Sequence, residues 1–145
     1  MDTAQVIATL LTGALFGHEL ATLFVHVTLF RLPAADHLAA EQKINGLLTR
    51  IMPVFMVATV VAVAAAAIAG DGKLRRFDLA ALGAVAAMLG VTFVGNIPIN
   101  IRTMRLGPDV DPTDWRSMRT RWNRFHMVRI ALLAVAFTLV TVAGR

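Results

Sequence analysis

The chain has 145 residues, of which 57% are hydrophobic and 16% charged, with a formal net charge of +5. A soluble domain of this length has too little interior to hide that much apolar surface, so an ordinary soluble globular protein is excluded. The absence of cysteine excludes disulfides, thiolate nucleophiles and cysteine-ligated clusters, and the absence of tyrosine removes a common phenolic donor. The charges gather between apolar runs, as in an integral membrane protein. Arginines beside such runs suit anionic head groups, and nucleic acid is not an expected partner.

Four segments are long and apolar enough for a helical span of about 20 residues. They are residues 4–30, 51–69, 79–101 and 125–143. The first has no basic cluster before it and no small-residue cleavage pattern, so it reads as a retained helix. It carries His18, Glu19 and His26 inside the apolar run. Glu19 and His26 are seven residues apart and share a helix face. The segment "GALFG", Gly13 to Gly17, offers a small-residue face for close helix contact, including contact with a second copy of the chain.

The connection from residue 31 to residue 50 keeps helical spacing from Asp36 into the second span. His37, within it, is expected to face solvent. Pro53 is expected to bend the second helix near the membrane surface. The short basic loop "GDGKLRRFD" leads to the third span, which closes on "GNIPINIRT". There Asn96 and Asn100 are four residues apart and project from one face. Pro98 between them cannot donate its backbone amide, so the helix should bend and free space near its end.

A proline after an acid, "DPTDW", opens the last helix well before its span. "RWNRFHMVR" then puts Trp122, His126 and Arg129 on one i, i+4, i+7 face. An aromatic belt would account for Trp122. It would not account for Arg129, which lies a turn deeper than His126 and needs a partner.

Short connections favour an up-down-up-down four-helix bundle, all-α and a single domain over residues 1–145, with helices two and four extended into a cap. Nine lysines and arginines lie in the first and third connections, against Lys73, Arg75, Arg76 and Arg145 on the other side. The positive-inside rule then puts the cap in the cytoplasm, with both chain ends outside the cell membrane. In that frame His26, Asn96, Asn100, Trp122, His126 and Arg129 fall at one depth near the cytoplasmic surface, over a floor of Glu19 and His18. A polar pocket is expected there.

The motifs Asn96-x-Pro98-x-Asn100 and Trp122-x-x-x-His126-x-x-Arg129, set in four spans, resemble the anthrone-oxygenase-like family of small membrane proteins. The resemblance implies an oxygenase that turns an anthrone methylene into a quinone carbonyl with dioxygen. It also implies roles for Asn96, Asn100, Trp122, His126 and Arg129. His126 and Arg129 of that set, with His26 and Glu19 added on physical grounds only, are the catalytic candidates; Asn96, Asn100 and Trp122, with His18 added on physical grounds only, are the substrate-binding ones. Two routes are open: a cofactor-free one in which His126 or His26 removes a proton, and one in which His26 and His126 hold a haem iron or another metal. A hydrophobic aromatic small molecule, dioxygen and the bilayer are the expected partners. A non-enzymatic transport or lipid-binding protein is the alternative.

Overall fold

The computed structural model describes residues 2–72 and 74–145. Its helices are α1 (Thr3–Leu29), α2 (Ala34–Ala69), α3 (Leu74–Val91), α4 (Ile97–Thr103) and α5 (Pro112–Ala143). A π-helical segment, Thr92–Asn96, joins α3 to α4, so these form one continuous span from Leu74 to Thr103. Four helical units are therefore long and apolar enough to cross a membrane. They pack as a ring in the order α1, α2, α3–α4, α5, with α5 closing against α1.

The helices bury residues at alternating three- and four-residue steps, the pattern that lets side chains interdigitate in a bundle with shallow crossing angles. In α5 the buried set includes Trp115, Arg119, Trp122, His126, Arg129, Leu133, Ala136 and Val140. In α1 it is Gln5, Ala8, Thr12, Leu15, Glu19 and His26. The first half of each of these two sets meets the second half of the other, because the helices run in opposite directions. Ala8, Leu15, Val63, Val85, Met88, Leu133, Ala136 and Val140 therefore form an apolar core in the half nearer the chain ends. The charged and histidine members, Glu19, His26, Arg119, His126 and Arg129, fall together in the other half.

α2 has 36 residues and α5 has 32. At 1.5 Å per residue they are roughly 54 and 48 Å long, well beyond an apolar bilayer core of about 30 Å. Their first few turns form the expected cap. The Asp111 carboxylate accepts from the backbone N–H groups of Thr113 and Asp114 and starts α5. Gln42 donates to the carbonyls of Thr103 and Leu106 and ties the loop after α4 to the cap.

Three expectations change. The third span begins at Leu74, not near residue 79; the Arg75 N–H bonds the Asp71 carbonyl, and Arg75 and Arg76 are helical. Asp78, placed by its charge in the loop, is buried and accepts from Gln5, which also donates to the Val140 carbonyl. His37 is buried, not solvent-facing, because Phe30 and Trp115 enclose its ring and Glu41 holds it. Gly13 meets Phe137 of the same chain, where an added Cβ would come within 2.8 Å of the ring, while Gly17 is open.

Two buried ion clusters around a cavity

A cavity of about 150 Å³ lies in the polar half, and every helical unit contributes to it. α1 supplies His18, Glu19, Thr22 and His26, and the π segment with α4 supplies Thr92, Asn96, Ile97 and Asn100. α5 supplies Trp122, His126 and Arg129. α2 lines it with Asn45, Thr49 and the apolar Leu48, Met52, Pro53 and Met56. All eight side chains expected from the sequence thus border one space. A cavity of this volume holds about one benzene-sized ring.

The deeper cluster is built on Glu19. Arg129 Nη2 donates to Glu19 Oε1 at 2.5 Å, which supplies the partner that its depth demanded. His126 Nε2 lies 3.0 Å from the Glu19 carbonyl oxygen, and its Nδ1 lies 3.1 Å from Glu19 Oε2 without hydrogen-bond alignment. His18 is half-buried at the edge, with its Nε2 3.4 Å from the Thr22 hydroxyl.

The second cluster is built on Glu41, a residue that hydrophobic periodicity alone does not single out. Its Oε1 receives His26 Nδ1 at 2.5 Å, Arg119 Nη2 at 3.0 Å and His37 Nε2 at 3.3 Å. Glu41 is 0% exposed and Arg119 1%. The Arg119 guanidinium also lies over the Trp122 ring at 4.5 Å and near the Trp115 ring at 5.7 Å. This apolar and aromatic enclosure suits arginine, whose planar cation is weakly hydrated. Burial alone would raise the Glu41 carboxyl. The hydrogen bonds from His26 and His37 and the Arg119 charge outweigh it and hold the group at about 2. Glu41 is therefore a carboxylate at neutral pH. With His26 Nδ1–H donating to it, the Nε2 lone pair lies on the other side of a ring that borders the cavity.

The asparagines of the third span hold Trp122 at both ends. Asn96 Nδ2 donates to the Trp122 carbonyl at 3.2 Å, and Trp122 Nε1 donates to Asn100 Oδ1 at 2.7 Å. So fixed, the indole stacks on His126 with ring centroids 4.7 Å apart and packs on His26 at 4.4 Å. The π segment makes this reach available. The Ile97 N–H bonds the Thr92 carbonyl, five residues back, one position before Pro98. The wider turn takes up the break that a proline imposes on a regular helix. Gly95 in that segment lies under the Phe125 ring, where a Cβ would stand within 2.6 Å of Cδ1.

Four polar atoms on cavity-lining residues are buried with no hydrogen-bond partner: Asn45 Nδ2, Asn96 Oδ1, Arg129 Nε and His126 Nδ1, the last of which faces Glu19 Oε2. Buried polar groups are normally paired, so unpaired ones around a cavity mark a place for a ligand. Asn45 was not among the residues singled out from sequence; its position one turn from Glu41 on the buried side of α2 was the available signal.

The donor set fits a bracketing iron poorly. The imidazoles of His26 and His126 are 6.3 Å apart at 75°. One nitrogen of His26 is held by Glu41, and both of His126 face Glu19. Among the described residues no group of three His, Asp or Glu side chains converges as a metal site requires.

Fold and site together define a small all-helical protein of the membrane-spanning type, with a ligand-sized cavity between two buried ion clusters. The family model described as anthrone oxygenase matches residues 44–139, about two thirds of the chain. The chain belongs to the anthrone oxygenase family, which assigns it oxygenase character in general terms. The match takes in Asn45, Asn96, Asn100, Trp122, His126 and Arg129, while His18, Glu19, His26, His37 and Glu41 precede it. Comparisons with curated proteins and with solved structures gave no match.

Proposed function

We propose that this chain is a membrane-embedded oxygenase that oxidises the acidic methylene of an anthrone-like aromatic molecule, or a related quinol-like one, with dioxygen. The observation that carries the reading is the unpaired set Asn45 Nδ2, Arg129 Nε and Asn96 Oδ1 around a cavity that His26 also borders. Two donors and an acceptor suit the oxygen substituents of a hydroxylated aromatic ketone. Leu48, Met52, Met56 and Ile97 supply the apolar walls its rings need.

A cavity of about 150 Å³ covers one ring of three, so the others extend toward the side where it opens. Thr49 and Pro53 are exposed there and α2 meets α4 only thinly, which suits entry from the bilayer.

In this reading His26 Nε2 is the base that takes the methylene proton, and Glu41 fixes the tautomer that makes it one. Arg129 and Asn45 stabilise the oxyanion that forms. The anion joins dioxygen at carbon, and loss of water from the hydroperoxide leaves the carbonyl. In sum CH2 and O2 become C=O and H2O. Trp122 and His126 pack against the reacting ring, Asn96 and Asn100 hold Trp122 in place, and Glu19 holds Arg129.

Oxygen uptake by purified protein with an anthrone, read together with quinone absorbance, tests this. His26→Gln is expected to lower kcat by about 10²–10⁴, the range of a general base, with little change in KM. No uptake by the wild-type protein over a panel of anthrones and quinols would end the reading.

A further inference from the structure

Resting on that reading and deepening it, we propose that His37 is the port through which the His26–Glu41 pair exchanges its proton with water at the capped end of the bundle. Two of the spaces at that end flank this pair. One is the cavity that His26 borders. The other is a cleft of about 310 Å³ lined by Phe30, Leu32, Pro33, His37, Trp115 and Arg116, among others. They share no lining residue. Glu41 lies between them and borders neither, and both imidazoles meet at its Oε1, His26 at 2.5 Å and His37 at 3.3 Å.

The charged groups around this line come from three elements. Glu41 faces His26 of α1, His37 of its own helix and Arg119 of α5. His26 also lies 3.3 Å from Arg119 Nη2 and 6.3 Å, ring to ring, from His126. His37 shares its cleft with Arg116. Arg119 cannot give up a proton in proteins, so it sets charge without carrying a proton. The side chains that can carry one from the cavity toward the cleft are therefore His26, Glu41 and His37, in that order.

The chemistry gives such a line a use. The oxygenation breaks two C–H bonds and the O–O bond, and both protons end in water. The first proton arrives on His26 Nε2, whereas the atom that finally receives it is an oxygen of dioxygen, which has not yet reacted when the proton leaves carbon. The imidazole has to be free again before it takes the second proton. As its Nδ1–H tautomer, His37 offers the Nε2 lone pair to Glu41, so passing His26 Nδ1–H to Glu41 Oε1, and from there to His37 Nε2, clears the base. A proton leaving the other ring nitrogen into the cleft resets His37. The stored proton returns by the same line, so the overall balance is unchanged.

Without dioxygen the reaction stops at proton transfer, and this isolates the relay. The probe is an anthrone deuterated at the methylene, whose loss of label to water is followed under anaerobic conditions in detergent. Wild-type protein should accelerate the loss over the protein-free rate. His37→Ala and His37→Gln should each cut that acceleration by about tenfold or more while binding anthrone normally. Imidazole, small enough for the cleft, should restore His37→Ala and leave Glu41→Gln unrestored, because there the break is sealed inside. A residue that only neutralised Arg119 would give no such rescue. Wild-type acceleration retained in His37→Ala overturns the relay alone. No acceleration by wild-type protein overturns the His26 base, and the relay with it.

Discussion

Glu41 meets three nitrogens at one oxygen while its Oε2 has no partner, and the whole side chain is out of water. That makes its ionisation a folding variable. Its folded value, about 2, lies below the ordinary 4.5. The stabilisation is therefore complete above about pH 4.5 and is lost as pH falls from there toward 2. The difference corresponds to about 3 kcal/mol. Unfolding in detergent should show a stability plateau above pH 5 and a decline below it, and Glu41→Gln should flatten that decline. An equally steep decline in the variant would mean that other carboxylates govern it. Glu19 and Arg129 pose a second test at this scale. Removing one partner of a buried pair costs about 3–5 kcal/mol, whereas replacing both with apolar groups costs far less. Glu19→Leu and Arg129→Met should each lower the midpoint of thermal unfolding, and the double variant should recover much of the loss. A double variant no better than the sum of the singles would refute this coupling. These residues also show what a single sequence tells. Arg129 in an apolar run announced a hidden partner, and Glu19 was the only carboxylate in the facing span. Glu41, His37 and Arg119 gave no such sign, because a charged residue in a polar connection looks solvated until a neighbouring helix covers it.

Among the elements, the π segment Thr92–Asn96 connects sequence to site most directly. Pro98 made a bend legible, but a proline alone does not say how a helix accommodates it. Here one wide turn does so, and it advances Asn96 and Asn100 to the two ends of Trp122. The same turn brings Gly95 against Phe125. Gly95→Ala would press a methyl into the Phe125 ring, and overpacking of this kind costs about 1–3 kcal/mol. Phe125→Leu in the same chain should relieve most of it, since the flat ring is what the methyl meets. Thermal unfolding of the two single variants and the double variant measures the coupling. Additive losses would show that α5 does not rely on this close approach. The lengths of α2 and α5 were legible for a plainer reason: apolar spacing continued through their polar stretches, and Asp111-Pro112 marked the start of α5. The start of α3 was missed because Arg75, Arg76 and Asp78 resemble a loop until Asp78 is seen to bond Gln5.

For the molecule as a whole, the four spans set an apolar half against a polar one, and the basic residues follow the polar half. Arg50, Arg102, Arg105, Arg116, Arg121 and Arg124 all surround the capped end and are exposed. The bundle thus has a direction, which the relay also uses, since its cleft opens at the same end. The positive-inside rule predicts that the capped end faces the cytoplasm and the short loop after α2 faces outward. The counts that support this are nine against four, with Arg75 and Arg76 weakening the contrast. Because the chain has no cysteine, a single introduced one reports its own side of the membrane. Asp71 and Asp109 are both exposed, one in the short loop and one between α4 and α5. In intact cells a membrane-impermeant maleimide should label Asp71→Cys and spare Asp109→Cys, and permeabilisation should expose the second. The reverse pattern would invert the bundle, place the relay cleft outside the cell, and have the base exchange its proton with the external medium.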